Sequence, residues 1–331
     1  MKKLNNVKKK IMFIRVSTRC NAGCFMCKYA NNHCSYNINE KQLDFILKYM
    51  KEDNNYGLVR FTGGEPLLHP KISEMISRFS DEGFKTSIIT NGYLISTKYN
   101  DLIDSGLNQI ILSLDGSKSE IHDKLRGLDG LFLKVVKGIK LLKGKEPKIN
   151  IRVNTVVSKY NIDDLINILN LLKKHEIDMW SIIPLKSSSI YWNDGKVEYY
   201  IKKYYEFMNY VRNIKQPVFL GYSKNWGGRN KKEIENLFYN NQLYRPNTTC
   251  STVENVSFYI PDENQIIPCN CASHRIREIE SKFEENSASK NREIMKNWLK
   301  INGPKKCTGC EPLNVYLAEN SGCLNQNIFL F

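Results

Sequence analysis

The sequence has no apolar run close to the ~20 residues that a membrane-spanning helix needs. The N-terminal stretch MKKLNNVKKK is basic, but the apolar run after it is too short for a secretory signal and is soon interrupted by Arg15. Internal repeats and low-complexity tracts are also missing. These absences argue against a membrane or secreted protein, and we expect a cytoplasmic one.

Cysteine is missing from residues 35–249, although ten cysteines occur in the 331-residue chain. Four of them precede residue 35, and six lie from Cys250 onward. A disulfide framework does not usually leave such a long cysteine-free segment, and without an export signal cysteines point to metal binding or catalysis. The distribution therefore predicts two metal sites, one near each end of the chain.

Acidic residues are fewer than basic ones, 34 against 49, and the formal net charge is +15. A basic surface suits an anionic substrate or nucleic acid. A lysine-rich proteome gives the same balance, so charge alone does not decide the function.

Short β-rich runs alternate with amphipathic segments from residue 11 to about 184. Such alternation is typical of parallel strands joined by crossover helices. The fold class predicted is α/β, a partial open (β/α)6 barrel with a small C-terminal β-hairpin and helix domain. The six predicted strands are 11–17, 58–61, 85–89, 109–114, 149–157 and 179–183, and the predicted domains are 1–184, 185–245 and 246–331.

The 185–245 segment breaks the alternation and is rich in tyrosine and lysine. We expect a helical and loop insertion that covers the barrel. Interleaved aromatic and basic residues also suit a surface for single-stranded nucleic acid. Farther on, NVSFYIPDENQIIPC predicts two short strands around a turn.

Cys20, Cys24 and Cys27 follow the first predicted strand with the spacing Cys-x3-Cys-x2-Cys. Three thiolates at this spacing suit a four-iron, four-sulfur cluster and leave its fourth iron open to a small chelating molecule. A zinc site normally has four ligands, and His33 or Cys34 is available to complete one.

A second motif, FTGGEPLLHP, follows the second predicted strand. Gly63 and Gly64 allow a close backbone approach to a ligand, and Glu65 can accept hydrogen bonds from an ammonium group. An ordinary β–α turn is the alternative interpretation.

Four C-terminal cysteines form a second pattern, Cys-x18-Cys, then a gap of 37 residues, then Cys-x2-Cys. They are Cys250, Cys269, Cys307 and Cys310. Four thiolates complete a metal site without an open position. A structural zinc site resembling a zinc ribbon remains the alternative.

With these motifs, the chain resembles the radical SAM superfamily, in its subgroup with a C-terminal auxiliary cluster. The resemblance implies that Cys20, Cys24 and Cys27 bind a [4Fe-4S] cluster and that S-adenosylmethionine (SAM) chelates its open iron. It also implies SAM contacts at Met26, Gly63, Gly64, Glu65, Pro66, Asn91, Ser113, Arg126, Asn154 and Ile183. In the family, the loop with Glu65 holds the methionyl amine, and an arginine resembling Arg126 pairs with the SAM carboxylate.

The C-terminal pattern resembles the shortened auxiliary domain called twitch, which binds one further [4Fe-4S] cluster. The longer SPASM version has a cysteine at the position where this chain has Tyr316. Cys271, two residues after Cys269, is a candidate replacement ligand at the second cluster.

The chemistry implied is reductive cleavage of SAM to a 5′-deoxyadenosyl radical, which abstracts hydrogen from a substrate. Only 19 residues precede Cys20, so we expect a small-molecule substrate of sugar, aminocyclitol or nucleoside type, and dehydrogenation or epimerisation. Modification of a ribosomally made peptide and an RNA-binding protein with structural metal sites are the alternatives. Cys34, Cys271 and Cys323 are candidate hydrogen donors, and a flavodoxin or ferredoxin is the expected reductant.

Overall fold

The structure is a computed structural model. It describes residues 10–27, 36–53, 55–144, 149–184, 194–213, 219–222, 255–261, 264–268 and 287–306.

Nine strands of the described chain form one sheet with the order β7-β6-β5-β4-β3-β2-β1-β8-β9. Every neighbouring pair is parallel except β8 and β9, which form an antiparallel hairpin. The sheet is open, because β7 and β9 lie at its two edges. The strands are β1 (Lys10–Ser17), β2 (Tyr56–Gly63), β3 (Lys85–Thr90), β4 (Gln109–Ser113), β5 (Asn150–Val157), β6 (Met179–Pro184), β7 (Phe219–Tyr222), β8 (Val256–Ile260) and β9 (Gln265–Ile267).

Eight α-helices of the described chain connect or follow these strands. They are α1 (Glu40–Glu52), α2 (Ile72–Asp81), α3 (Ile95–Asp104), α4 (Ser119–Arg126), α5 (Leu131–Lys143), α6 (Leu165–Lys174), α7 (Val197–Asn213) and α8 (Ala288–Lys306). Two short 3-10 turns occupy Pro66–Leu68 and Ile162–Asp164. Within the described residues, none of these helices combines the length and the apolar composition that crossing a membrane requires.

The sequence of α1 explains where this helix begins and which of its faces is buried. Asn39 and Gln42 form a reciprocal capping box at its first turn, which satisfies backbone N–H groups that have no partner inside the helix. Leu43, Ile46, Leu47 and Met50 then recur at helical spacing and are buried.

The two faces of the sheet differ in polarity. Alternate strand residues such as Met12, Phe61 and Ile110 belong to the main apolar core together with residues of the helices. The opposite face carries a row of paired neighbours, Phe13, Arg60, Ser87, Gln109 and Asn150, which runs across β1 to β5. Side chains of a strand alternate between faces, so one face packs the helices and the other forms a more polar interior.

The α/β architecture and all six predicted strands are confirmed, as is the hairpin of β8 and β9. The sequence did not reveal that β7 adds a seventh parallel strand or that β8 pairs with β1. Each of these two strands is only four or five residues long. The boundaries at 184 and 245 remain predictions, although β7 lies in the segment that was expected to be only helix and loop.

Candidate active site at the carboxyl edge of the sheet

The predicted site residues follow strands that all end at the same edge. The carboxyl ends of parallel strands meet there, which is where open α/β sheets bind ligands. The loop with the three cysteines follows β1, the Gly-Gly-Glu-Pro turn follows β2, and Asn91 follows β3. Ser113 ends β4 and Asp115 lies two residues beyond it.

The loop of the three cysteines is closed at its base by hydrogen bonds beside the end of β1. The Thr18 amide donates to the Tyr36 carbonyl at 3.0 Å, and the Tyr36 amide donates to Thr18 Oγ1 at 2.8 Å. Two residues before Thr18, the Val16 carbonyl of β1 accepts from the Ile38 amide at 2.9 Å. Residues 28–35, which include His33 and Cys34, lie outside the described residues.

The three cysteines are free thiols on a compact turn. The Cys27 amide donates to the Cys24 carbonyl at 3.0 Å, and the Ala22 amide points at Cys20 Sγ at 3.4 Å. Cys24 is buried, while Cys20 and Cys27 are half-buried. The turn thus leaves two of the three cysteines partly exposed at the edge of the sheet.

The C-terminal end of α4 holds this turn from one side. The amides of Gly23 and Phe25 donate to the carbonyls of Gly127 and Leu125, both at 3.3 Å. The last carbonyls of a helix have no partner within it, so the turn satisfies them. Gly127 adopts φ 58° as the left-handed C-cap, and a Cβ atom there would lie 2.5 Å from the Gly23 carbonyl oxygen.

The Gly-Gly-Glu-Pro turn holds the same loop from the other side. The Gly64 amide donates to the Ser17 carbonyl at 2.7 Å, and the Glu65 amide donates to the Arg19 carbonyl at 2.8 Å. A Cβ atom at Gly63 or Gly64 would collide with these loop carbonyls. The two glycines therefore allow a close approach to the cysteine loop, a contact that the sequence alone did not indicate.

Glu65 is almost fully buried and caps the 3-10 turn that begins at Pro66. Its Oε1 accepts from the Leu67 amide at 3.0 Å and from Thr90 Oγ1 at 2.6 Å, and its Oε2 accepts from the Asn91 amide at 2.7 Å. Burial raises the pKa of this carboxyl, and the three hydrogen bonds oppose that rise. A carboxylate accepts about four hydrogen bonds, so the position left for a ligand is on Oε2.

Asn91 connects β3 to the cysteine loop. Its Nδ2 donates to Asn21 Oδ1 at 2.8 Å, and its Oδ1 accepts from the Tyr93 amide at 2.9 Å. The side chain predicted to contact SAM therefore also fixes the residue that follows Cys20.

Arg126 lies between a buried carboxylate and the buried thiol. Its Nε is 2.6 Å from Asp115 Oδ2, an ion pair whose atoms are not aligned as a hydrogen bond, and its Nη1 is 3.9 Å from Cys24 Sγ. Asp115 raises the pKa of the Arg126 guanidinium, whereas burial opposes this. Arg126 was predicted from the resemblance to pair with the SAM carboxylate, and its contacts here are with the protein.

The backbone and side chain of Asp115 are held by three other residues. Asp115 Oδ1 accepts from the Val156 amide at 2.7 Å, and the Asp115 carbonyl accepts from Asn161 Nδ2 at 2.9 Å. The Asp115 amide donates to His122 Nδ1 at 3.0 Å. The carboxylate that faces Arg126 is therefore fixed in position.

The remaining predicted contacts lie at the same edge of the sheet. Met26 is half-buried in the cysteine turn, and Ser113 and Asn154 are paired neighbours on β4 and β5. Asn154 Oδ1 accepts from Arg152 Nε at 3.1 Å. Ile183 lies near the end of β6, and its side chain is partly exposed. Their predicted contacts with SAM stay predictions.

The chemistry of the three thiols fits an iron–sulfur cluster. Burial raises the pKa of the Cys20 thiol to about 11, and the negative charges of Glu65, Cys24 and Cys27 act in the same direction. Burial also raises the pKa of the Cys24 thiol, against the effect of Arg126. A metal centre bound to these sulfurs would supply positive charge that favours the ionised forms of Cys20 and Cys24.

Within the described part of the chain, no three His, Cys, Asp or Glu side chains converge as a site for a single metal ion requires. A four-iron cluster makes a different demand on its ligands, because each thiolate binds a different iron. The donor set and its spacing are compatible with that arrangement.

Several residues of this site were not singled out from the sequence. They are Asn21, Thr90, Asp115, His122, Gly127 and Asn161. The sequence could have identified Asp115, because a carboxylate directly after the predicted apolar strand in ILSLDG lies at the ligand-binding edge of the sheet. The others act through contacts between segments distant in sequence, which one sequence does not reveal.

The other cysteines with predicted roles lie outside the described residues. They are Cys34, Cys250, Cys269, Cys271, Cys307, Cys310 and Cys323.

Comparison with known protein families identifies the class of this fold and site. Residues 14–172 match the model of the Radical SAM superfamily, a range that contains both the three cysteines and the Gly-Gly-Glu-Pro turn. This part of the chain, just under half of its length, is therefore similar to a radical SAM domain. Domains of this class imply SAM and one [4Fe-4S] cluster as cofactors, and the residues of the cysteine loop fit that cluster.

Curated relatives match mainly this domain. A GTP 3′,8-cyclase of Clostridium perfringens is 31% identical over 180 residues, 52% of this chain and 54% of the relative. An AdoMet-dependent heme synthase of Methanosarcina barkeri is 29% identical over 158 residues, 47% of this chain and 44% of the relative. The chain spans about half the length of these curated relatives.

Solved structures share the fold over most of the chain. Streptococcus suis SuiB bound to S-adenosylmethionine aligns with a TM-score of 0.64 and 18% identity, over 94% of this chain and 73% of SuiB. Native anSMEcpe with bound AdoMet aligns with a TM-score of 0.60 and 20% identity, over 96% of this chain and 94% of its own. At this identity the likeness concerns the fold alone.

We expect Gly127→Ala to impair cluster loading more than Gly130→Ala. Both glycines have left-handed backbones, at φ 58° and 73°, so both variants bear the same strain of about 1–2 kcal/mol. Only at position 127 does a Cβ atom meet the Gly23 carbonyl, whereas nothing lies within 4 Å of one at position 130. Iron content and visible absorbance after anaerobic reconstitution measure the difference. Equal loading of the two variants would contradict the role assigned to this contact.

We expect His122 to make the apo-protein less stable as the pH falls below 6.5. Burial, helped by the Arg126 charge, lowers the pKa of His122 from 6.5 to about 3. The unfolded chain then gains a proton at a pH where the folded chain does not, so stability is full above pH 6.5 and falls toward pH 3. The slope for one group is at most about 1.4 kcal/mol per pH unit.

Denaturant unfolding of the apo-protein between pH 7 and 5 measures this slope. His122→Gln should reduce it, because glutamine does not titrate and its oxygen can accept the Asp115 amide. His69 and His175, whose pKa values are also lowered by burial, remain in both proteins as an internal control. Identical slopes would show that His122 does not titrate as described.

Proposed function

We propose that this chain is a radical SAM enzyme in which Cys20, Cys24 and Cys27 bind a [4Fe-4S] cluster that reduces SAM. The observation that supports this most directly is the turn of three free thiols, held between the Gly64–Glu65 turn and the end of α4. When bound, the cluster and SAM supply reductive cleavage of SAM to methionine and a 5′-deoxyadenosyl radical.

The contribution of the chain's own residues is to bind and orient. Glu65 keeps one acceptor position on Oε2 next to the amide of Asn91, which suits an ammonium group. Asn91 and Asn21 keep the loop after Cys20 in place. Met26, Pro66, Ser113, Arg126, Asn154 and Ile183 remain proposed cofactor contacts.

We further propose an auxiliary [4Fe-4S] cluster of the twitch type at Cys250, Cys269, Cys307 and Cys310. Its support is the cysteine spacing, since these residues lie outside the described part of the chain. A zinc site with the same four ligands is the competing proposal.

For the substrate, we propose a small molecule of sugar, aminocyclitol or nucleoside type that is dehydrogenated or epimerised. The 31% identity to a protein named GTP 3′,8-cyclase and the net charge of +15 favour a nucleotide-like compound. A peptide substrate is the second candidate, because SuiB, which shares the fold, has also been solved bound to its precursor peptide. RNA binding by a non-catalytic protein has no support from these relatives.

The first test is formation of 5′-deoxyadenosine by protein reconstituted anaerobically with iron and sulfide, with dithionite as reductant. We expect SAM cleavage by the unmodified protein and its loss in Cys20→Ala, Cys24→Ala and Cys27→Ala, because each removes one of three cluster ligands. Cys34→Ala is the matched control and should retain SAM cleavage. A zinc-loaded protein whose metal is lost in Cys34→Ala would contradict the proposal.

The second test is the iron content of the reconstituted protein. Two four-iron clusters give about eight irons per chain, and Cys250→Ala with Cys307→Ala should reduce this to about four. SAM cleavage without substrate should survive these substitutions, because they leave the N-terminal triad intact. About four irons in both proteins would refute the auxiliary cluster.

A further inference from the structure

We propose that Arg126 raises the reduction potential of the N-terminal cluster through its contact with Cys24, and that Asp115 is the residue that positions it there. The inference rests on the proposed function only in that Cys24 must be a cluster ligand. It differs from the predicted contact between Arg126 and the SAM carboxylate, because it concerns the cluster before SAM binds.

The first step is the position of the guanidinium. Arg126 Nη1 is 3.9 Å from Cys24 Sγ, and Nε is 2.6 Å from Asp115 Oδ2, so the cation lies between the carboxylate and the sulfur. Hydrogen bonds to the ligand sulfurs, net charge and solvent exposure are the factors by which a protein sets the potential of such a cluster. The contact of Arg126 with Cys24 changes the hydrogen bonding to a ligand sulfur and the net charge near the cluster.

The second step is burial. The exposed fraction is 8% for Arg126 and 0% for Asp115. Water screens charges near a protein surface, whereas buried charges interact more strongly. A charge at this position therefore acts on Cys24 with little screening.

The third step is rigidity. Arg126 is the last residue of α4, and the carbonyls of Leu125 and Gly127 on either side of it hold the cysteine turn. Asp115 is in turn held by the Val156 amide, Asn161 and His122. The same helix end thus fixes both the ligand loop and the cation, so their separation does not depend on a flexible side chain alone.

The sign of the effect follows from charge. Reduction adds one electron to the cluster, and a nearby cation stabilises the more negative state. Loss of Arg126 should therefore lower the potential. Loss of the Asp115 charge alone would raise it, but loss of Asp115 as a positioning residue, with displacement of Arg126, should lower it. The two roles of Asp115 predict opposite shifts.

The experiment is a redox titration of the SAM-free, fully reconstituted protein, monitored by EPR. We expect Arg126→Gln to lower the equilibrium constant for reduction at least tenfold, which is about 59 mV for a one-electron couple. Arg126→Lys keeps the charge and should restore part of the shift. Lys124→Gln is the matched control, because it removes a charge from the exposed side of the same helix and should leave the potential unchanged.

Asp115→Asn tests the positioning role. The amide oxygen of the asparagine can still accept a hydrogen bond from the Val156 N–H. The uncharged side chain no longer attracts the Arg126 guanidinium. We expect a lower potential than in the unmodified protein, and no further lowering when the substitution is combined with Arg126→Gln. Equal lowering in both backgrounds would mean that Asp115 does not act through Arg126, and a raised potential would mean that it acts only by its charge. Either result overturns its assignment as a positioning residue.

An unchanged potential in Arg126→Gln at full iron content overturns the inference. It does so even if the variant binds SAM more weakly, because weaker binding supports only the predicted contact with the SAM carboxylate. If Arg126→Gln does not hold its iron, Asp115→Asn, which is expected to displace Arg126 from Cys24, provides the comparison with the unmodified protein. Failure of the proposed function is distinguishable, because it appears as an unmodified protein without a cluster or without SAM cleavage. A cluster that fails to cleave SAM still has a measurable potential.

Discussion

The candidate site depends on backbone hydrogen bonds that hold the cysteine loop on two sides. On one side, Gly64 and Glu65 donate to the carbonyls of Ser17 and Arg19; on the other, Gly23 and Phe25 donate to the end of α4. Neither contact survives a larger residue at Gly64 or Gly127 without movement of the loop. The position of three sulfurs is thus set by peptide groups, which are stiffer than side chains.

This arrangement explains why part of the site was predictable and part was not. Strand periodicity and the two motifs located β1 to β6, the cysteines and Glu65, because those signals are local. The contact of Gly63 and Gly64 with the cysteine loop was missed, because it joins segments that are distant in sequence. Asp115 and Asn21 were missed because their importance arises only when segments distant in sequence meet at the edge of the sheet.

Buried charge gives the site its chemical character. Glu65 and Asp115 are buried carboxyls near three thiols, and Arg126 is the cation in contact with both Asp115 and Cys24. Burial raises the pKa values of Glu65, Cys20 and Cys24, so the surroundings oppose further negative charge. A cationic iron centre relieves that opposition when the thiols ionise, which is why ligand binding and the stability of this loop should be linked.

The polar row on the second face of the sheet determines where these groups meet. Arg60 Nε donates to Ser87 Oγ at 3.2 Å and Arg60 Nη2 to Gln109 Oε1 at 3.1 Å, while Gln109 Nε2 donates to Asn150 Oδ1 at 2.8 Å. A slip of one residue in any of these strands would turn its polar member into the apolar core, so the row specifies the register of β2 to β5. Since Glu65, Asn91 and Asp115 follow β2, β3 and β4 within two residues, the register of these strands also sets their positions relative to one another.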